Sequence, residues 1–411
     1  MEVRPVNRRL TAVATAAALS TALLAAACSA SSNGSPTGSR QTTSDGGTTA
    51  NPPGKTSTKP TTSAPTKPAG TAHPAGPAAY FTPTKLKPGE KPPQFVVLSF
   101  DGAGWHEKWQ FWHSIAQRVP LRFTGFLTGL YLLDEQHKTY YHGPGHLPGK
   151  TSLGAWNSPA DVVQEIKDLN NAYSLGDEIG THYMGHFCSD NEPGADTWST
   201  ADWNSDLNQF FDVYRNHKKI DNIPGMPTLN VPASSIKGER TPCLEGKPDQ
   251  LFPALAKHHF LYDSSPDRDG IAWPQKVGGI WRMGMADFPL AGTNHKVITM
   301  DYNFWYAQEQ TAANVPPAKS ARDTKQITQT YLNMYDATYN GNRAPLILGN
   351  HFEQWNNNAY TNALAKFALK VCGRPDTRCV PFIDVVRWMQ MQDPKRLAQL
   401  QAEAPETGPR S

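Results

Sequence analysis

One short segment restricts the fold of this chain more than any other feature. Residues 95–100 are almost continuously apolar and have the length of a strand, a pattern typical of strands covered on both faces. Gly102 and Gly104 follow, and a helical pattern then spans 105–119. Alternation of strands and helices continues to about residue 392 and predicts right-handed βα units around a parallel sheet. The sequence therefore predicts an α/β fold.

The other predicted elements place several polar residues at strand ends. Helices are predicted at 159–173, 200–217, 249–258, 320–339, 360–371 and 383–391, and strands at 122–133, 178–181, 234–240, 259–263, 296–306, 345–350 and 380–383. In parallel α/β folds, site residues collect at the C-terminal ends of the strands. Such ends are occupied by Asp101, His182, Arg240, Asp301 and His351. We therefore expect one functional site at this edge of the sheet.

The first 90 residues are not expected to belong to this fold. Residues 1–27 have a basic start and an Ala/Leu-rich run ending in small residues, which predicts a secretory signal peptide. Cys28 follows directly, as in a bacterial lipobox, and predicts lipid anchoring at the outer face of the cell membrane. Plain secretion is the alternative. Residues 28–90 are rich in Ser, Thr, Pro and Gly, which predicts a disordered linker. The folded domain is predicted at 91–394, and the polar tail 395–411 is expected to fray.

Charge and cysteine content narrow the class of protein. The net charge of +3 is too small to indicate a nucleic-acid partner. Beyond Cys28 there are four cysteines, and an even number in an exported chain predicts disulfides with three possible connectivities. The short loop between Cys372 and Cys379 favours that pair, which leaves Cys188 with Cys243. Metal ligation by thiolates is the alternative, and an oxidising compartment disfavours it.

Two histidines, His182 and His186, have the spacing of a metal-binding pair. Residues four apart share one side of a helical turn, and the even spacing has the same effect on an extended strand. Both rings can then reach one cation at roughly 2.0–2.1 Å from each nitrogen, as zinc requires. The alternative is two ordinary polar residues at a loop mouth, because so short a motif often occurs by chance.

The remaining strand-end residues suit acid–base chemistry. Asp101 precedes small residues that leave its carboxylate open to a ligand, although an aspartate here can also cap the next helix. Arg240 can orient a carboxylate through paired N–H groups, or lie on the surface before a turn. His351 follows an apolar strand, and a buried aspartate such as Asp301 would raise its pKa and suit it to general-acid catalysis.

In this order, the motifs resemble those of the NodB-like polysaccharide deacetylases, carbohydrate esterase family four, over about residues 95–391. The resemblance rests on Ser99-Phe-Asp101, the histidine pair, Arg240 with Pro242, the segments 262–265 and 301–305, and His351. The stretch 342–346 and the helix through 388–390 are most similar to the chitin deacetylase branch.

The resemblance implies a distorted (β/α) barrel that hydrolyses N-acetyl or O-acetyl groups of a polysaccharide such as peptidoglycan or a chitin-like polymer. Asp101 would be the general base, with Arg240 tuning it. His351 would be the general acid, with Asp301 tuning it. His182 and His186 would hold a divalent metal, with zinc expected. Trp305 and Tyr183 would line a sugar groove or else pack in the core.

One position departs from the family. Gly102 stands where the family has the aspartate that binds the metal, so the site loses one of three protein ligands. Asp101 could move onto the metal, or another acidic residue could replace the ligand; the candidates are Glu107, Asp177 and Asp190. Asp287 competes with Asp301 for the role beside the histidine. The second reading is therefore a catalytically inactive domain that binds cell-wall polysaccharide.

Overall fold

A computed structural model describes residues 81–154, 156–189 and 193–410 of the chain. The predicted signal peptide, Cys28 and the linker as far as residue 80 lie outside the described residues, as does Asp190. Within the described residues, no helix combines the length and apolar character needed to cross a membrane.

The described strands are β1 (Gln94–Gly102), β2 (Thr124–Leu127), β3 (Glu178–Thr181), β4 (Gly238–Glu239), β5 (Tyr262–Asp263), β6 (Asp267–Asp269), β7 (Gln275–Val277), β8 (Ile280–Arg282), β9 (Met285–Pro289), β10 (Lys296–Ile298), β11 (Leu346–His351) and β12 (Thr377–Cys379). The described α-helices are α1 (His106–Ala116), α2 (Pro159–Leu175), α3 (Thr200–Asp221), α4 (Pro248–Lys257), α5 (Asp301–Glu309), α6 (Pro317–Asn340), α7 (Trp355–Val371), α8 (Phe382–Met391) and α9 (Pro394–Gln401).

Nine of these strands form one curled sheet in the order β11-β1-β2-β3-β4-β5-β8-β7, with β12 also paired to β1. Every neighbouring pair is parallel except β7 and β8. A second sheet contains β10, β9 and β6. The sheet is a half-barrel rich in parallel strands, which confirms the predicted α/β fold.

Strand β1 lies at the centre of this arrangement. Its residues are buried up to Asp101, with Val96, Val97 and Leu98 fully inaccessible. One edge pairs with β11, and the other pairs with β12 at its start and with β2 at its end. Such complete burial explains why the segment reads as a continuous apolar run rather than an alternating one.

A helix-capping box and two disulfides stabilise the elements around the sheet. Ser158 and Asp161 form a reciprocal capping box at the start of α2, as the Ser-Pro sequence predicted for the N-cap. The disulfides Cys188–Cys243 and Cys372–Cys379 are both present, which confirms the favoured pairing and excludes these sulfurs as thiolate ligands.

Several predicted boundaries are wrong. The strand predicted at 296–306 ends at Ile298 and is followed by α5, since one apolar run contains both elements and its periodicity does not show the junction. The strand predicted at 380–383 is found earlier in the chain, as β12. Pro381 has no N–H to donate to a sheet, and it directly precedes the first turn of α8. The strand predicted at 122–133 stops at Leu127, before a 3₁₀ turn.

Both ends of the folded region are longer than predicted. Phe81, assigned to the linker, packs edge-on against Phe95 at 5.7 Å between ring centroids. The tail expected to fray instead forms α9, whose first turn is capped by Asp393 and whose Leu400 is buried. Further along, the backbone of Glu406 pairs with Ile271. Scattered apolar residues in a polar sequence anchor both segments.

Candidate active site

The carboxyl ends of the parallel strands bring the predicted residues together. Asp101 near the end of β1 lies beside His351 at the end of β11, in register. His182 directly follows β3 and Arg240 directly follows β4. Asp301 comes from outside the large sheet, as the first residue of α5.

A buried ion pair joins Arg240 to Asp101. Arg240 Nη1 donates to Asp101 Oδ1 at 2.7 Å, and both side chains are almost completely inaccessible. The other guanidinium nitrogens donate to Ser99 Oγ and to the hydroxyl and carbonyl oxygens of Ser264, at 2.9–3.1 Å. The guanidinium also lies over the ring of Phe126. Four hydrogen bonds make burial of this guanidinium tolerable and fix its orientation.

This environment keeps Asp101 ionised. Burial opposes ionisation, but the charge of Arg240, reinforced by that of His351, holds the pKa of Asp101 below its usual range. The arginine expected on the surface in the alternative interpretation is therefore an interior group that orients this carboxylate.

A second pair joins Asp301 to His351. Asp301 Oδ1 lies 2.8 Å from His351 Nδ1, and Asp301 Oδ2 accepts from the backbone N–H of His351 at 2.8 Å. Burial would lower the pKa of His351, but the Asp301 carboxylate raises it to about 9. The imidazole is therefore protonated at neutral pH and fixed in orientation. Asp287 lies in β9 of the small sheet instead.

The two pairs face one another across a short gap. His351 Nε2 is 4.0 Å from Asp101 Oδ2, so a single polar atom can contact both groups. An ionised carboxylate and a protonated imidazole thus flank the same point, in an arrangement able to accept one proton and donate another.

His182 and His186 both offer neutral nitrogens. Their ring centroids are 4.9 Å apart. His182 Nδ1 lies 2.7 Å from the carbonyl oxygen of Arg240, which requires an N–H there and leaves the Nε2 lone pair available. Burial lowers the pKa of His182, and lowers that of His186 to about 3. A neutral imidazole oriented by a backbone carbonyl is the form that binds a divalent cation, so the pair fits such an ion.

The described residues place no third carboxylate or thiolate ligand close to both histidines. No described carboxylate or cysteine forms a group with both histidines in which the donor atoms lie within 4.8 Å of one another. Asp177 instead lies 2.9 Å from His113, and Glu107 is exposed on α1. The hydroxyl of Tyr131 lies 3.5 Å from the point where a Cβ of residue 102 would be. The tyrosine thus borders the space of the missing side chain.

We expect Gly102→Asp to tighten zinc binding at His182 and His186 by about tenfold or more, because it adds the missing carboxylate. The same change is expected to cost about 1–2 kcal/mol of unfolding free energy, since Gly102 has φ +80°. Gly102→Asn is the matched control, with the same backbone strain but no charge. Zinc titration calorimetry of the three chains measures the effect, and equal affinities for both variants would contradict it.

Aromatic side chains adjoin His351. The rings of Trp355 and Trp305 are stacked with centroids 5.1 Å apart, and Trp355 also lies 5.0 Å from His351. Tyr302 packs edge-on against Trp355 at 5.6 Å. Tyr183 is fully buried and donates to Glu239, so its place in a sugar groove is wrong and its core alternative is right.

Sequence reasoning missed several members of the site. The sequence does not predict Trp355, because His351 ends β11 and Trp355 begins α7, and no periodic pattern spans that junction. Ser99 and Ser264 lie within recognised segments, but only the fold shows that both accept from Arg240. Tyr131 gave no signal in the sequence.

No protein-family model matches the sequence, and no curated protein matches it either. Among solved structures, a presumed polysaccharide deacetylase from Mycobacterium smegmatis has 15% identity, with 80% of this chain and 99% of that chain covered, at a TM-score of 0.45. A pseudoenzyme of the CE4 family from Bacillus anthracis has 10% identity, coverage of 75% and 70%, and a TM-score of 0.37. A family 4 carbohydrate esterase from Streptomyces lividans, solved with acetate, has 13% identity, coverage of 67% and 88%, and a TM-score of 0.33. These likenesses carry no conclusion about the activity of this chain.

Proposed function

We propose that this chain is a NodB-like polysaccharide deacetylase, similar to the chitin deacetylase branch, that removes N-acetyl groups from a hexosamine polymer. The observation that supports it is the pairing of an ionised Asp101 with a protonated His351 at 4.0 Å, each oriented by its own buried partner. Peptidoglycan and chitin-like polymers contain the required acetamide. O-acetylated polysaccharides can react by the same chemistry.

In this proposal, Asp101 and His351 each take part in one proton transfer. Asp101 accepts a proton from the attacking water, whose oxygen adds to the acetamide carbon. His351 donates a proton from Nε2 to the nitrogen as the C–N bond breaks, which releases acetate and an amine. A divalent cation at His182 and His186 would supply Lewis acidity toward the carbonyl and water. The lowered pKa of Asp101 keeps it ionised, at the expense of basicity.

Acetate release by the full chain tests this proposal. With zinc or cobalt present, N-acetylglucosamine oligomers are expected to release acetate, and acetylated xylan provides the O-acetyl comparison. Asp101→Asn preserves the shape and is expected to reduce release to background. The exposed Asp249→Asn is the matched control and is expected to retain full release. Absence of release from every substrate, with metal bound, would reject the enzymatic proposal.

Gly102 supports a second candidate function, a catalytically inactive domain that binds cell-wall polysaccharide. The described residues supply only two ligands to the histidine site, whereas the aromatic group beside His351 does not depend on a metal. Aromatic side chains with a few polar neighbours are typical of ligand sites.

On either reading, Trp355→Ala is expected to weaken binding of an N-acetylglucosamine oligomer by about tenfold, as for other anchoring aromatics. Tyr140→Ala, which removes an aromatic side chain that is 49% exposed, is the control and is expected to leave affinity unchanged. Calorimetric titration of the three chains with the oligomer measures the difference. Glycan binding without acetate release would favour the inactive domain, whereas equal affinities would remove Trp355 from both proposals.

We also propose anchoring of the chain by a lipid on Cys28 at the outer face of the cell membrane. The basic start, the apolar run and the small residues before Cys28 support it. Growth with a labelled fatty acid tests it: label is expected in the wild-type chain and absent from Cys28→Ser, and an unlabelled wild-type chain would reject the anchor.

A further inference from the structure

A second group of metal-type donors lies outside the candidate active site. Asp134 caps a second 3₁₀ turn after β2 (Glu135–Tyr140), His137 lies within that turn, and Asp221 is the last residue of α3. His137 Nδ1 is 2.7 Å from Asp134 Oδ1 and 3.8 Å from Asp221 Oδ1. Among the described residues, this is the group of three or more such donors whose ligand atoms all lie within 4.8 Å of one another.

The charges in this group are not balanced by its own members. The side chains of Asp134 and Asp221 are 3% and 0% exposed, so two carboxylates share a buried space with one imidazole. Asp221 Oδ2 is buried and has no hydrogen-bond partner among the described residues. A buried carboxylate oxygen without a partner is costly, and a bound cation would remove that cost. Lys138 lies beside Glu135 instead, at 3.5 Å.

The group is open to solvent on one side. The side chain of His137 is 37% exposed and lines a surface cleft of about 610 Å³ together with Tyr140, Asn216 and Lys219. A hydrated ion can therefore reach the imidazole while both carboxylates stay within the protein.

We infer that Asp134, His137 and Asp221 bind a divalent cation at a site separate from His182 and His186. One imidazole and two carboxylates suit zinc or manganese, with water from the cleft completing the coordination. Binding requires His137 to carry its proton on Nε2, which frees the Nδ1 lone pair. The ion would tie the 3₁₀ turn to the end of α3 and so stabilise the fold in a way independent of any catalytic activity.

Counting bound zinc and manganese in the full chain tests this inference. The variant His182→Ala/His186→Ala removes the first candidate site and is expected to retain about one ion per chain. Adding Asp221→Asn is expected to weaken the remaining binding by at least tenfold, whereas adding the exposed Asp249→Asn leaves it unchanged. Calorimetry at pH 7.5 and mass spectrometry of dialysed protein measure affinity and stoichiometry.

Thermal unfolding separates a cation site from a structural hydrogen-bond role. Without metal, Asp221→Asn is expected to raise the melting temperature, because it removes the charge of a buried carboxylate whose Oδ2 has no hydrogen-bond partner among the described residues. With zinc or manganese, the same variant is expected to melt below the wild-type chain. Lower melting in both conditions, with no metal-dependent shift in the wild-type chain, would overturn the inference. His137→Gln, at a partly exposed position, provides a second variant, and unchanged metal affinity there would also overturn it.

Discussion

Arg240→Met is expected to lower the free energy of unfolding by about 3–5 kcal/mol, the usual effect of removing one partner of a buried ion pair. The change leaves Asp101 buried without its countercharge and also leaves Ser99 and Ser264 without the guanidinium. Since the positive charge of Arg240 opposes the effect of burial, the pKa of Asp101 is expected to rise in the variant. Urea denaturation of the full chain measures the stability change.

Two further variants show whether the loss comes from the unpaired charge. Arg387 is 62% exposed, and Arg387→Met is expected to change stability by no more than about 0.5 kcal/mol. Combining Arg240→Met with Asp101→Asn removes both charges, and the double variant is expected to be more stable than Arg240→Met alone. A loss below about 1 kcal/mol for Arg240→Met would mean that the pair is solvated and does not hold Asp101.

The sequence predicted the convergence of Asp101, His182, Arg240 and His351 better than it predicted the bounds of the elements that carry them. Asp101 and His351 each follow a buried strand, and parallel register alone brings such residues side by side. Arg240 and His182 also follow strands, so their convergence needed no long-range information beyond the sheet. For these residues, the apolar pattern of the strands contained enough information to predict that they lie at the same edge of the sheet.

Asp301 lies at the same edge of the sheet but comes from a helix and not from a strand end. The strand that was predicted to include Asp301 ends at Ile298, three residues before it, and the aspartate is the first residue of α5. Its carboxylate nevertheless contacts the ring of His351. Asp301 lies beside His351 because the isolated bridge between Met300 and Gly349 places this chain segment next to β11. Single-segment periodicity does not contain such a contact between separate sheets.

Contacts between residues that are far apart in the chain were the hardest to predict. Tyr131 borders Gly102 because a 3₁₀ turn follows β2, where a continued strand was predicted. The group at Asp134, His137 and Asp221 joins residues from two elements, and Asp134 and Asp221 are 87 positions apart in the chain. Neither spacing nor hydrophobic pattern marks such a pair before the chain is folded.

Asp301→Asn is expected to lower the pKa of His351 from about 9 toward its ordinary value, because the variant loses the largest of the charges that offset burial and keeps only those of Asp101 and Glu353. The amide keeps the shape and can still accept a hydrogen bond, so the variant mainly removes charge. Imidazole signals followed by NMR against pH measure the pKa, with His351→Gln used to assign the signal. Values near 6.5 in both chains would contradict the prediction.

The raised pKa of His351 also predicts the direction in which the free energy of unfolding changes with pH. The folded pKa of His351 lies above the unfolded value of about 6.5, so its contribution is fully present below pH 6.5 and disappears as pH rises through 9. The wild-type chain is therefore expected to exceed Asp301→Asn in stability by about 2–3 kcal/mol at pH 6, and by much less at pH 10. Asp336→Asn, at an exposed position, is the control and is expected to show no such dependence.

Acetate release in the same two chains tests the role of His351 separately from its charge. If His351 is the general acid, Asp301→Asn is expected to reduce release at pH 7.5 by about 10²–10⁴-fold, because the imidazole is then largely neutral. The reduction should become smaller toward acidic pH, where the variant imidazole regains its proton while Asp101, with its lowered pKa, stays ionised. A lowered pKa of His351 without any change in acetate release would leave the Asp301 pair as a structural contact and assign the proton donor to another group.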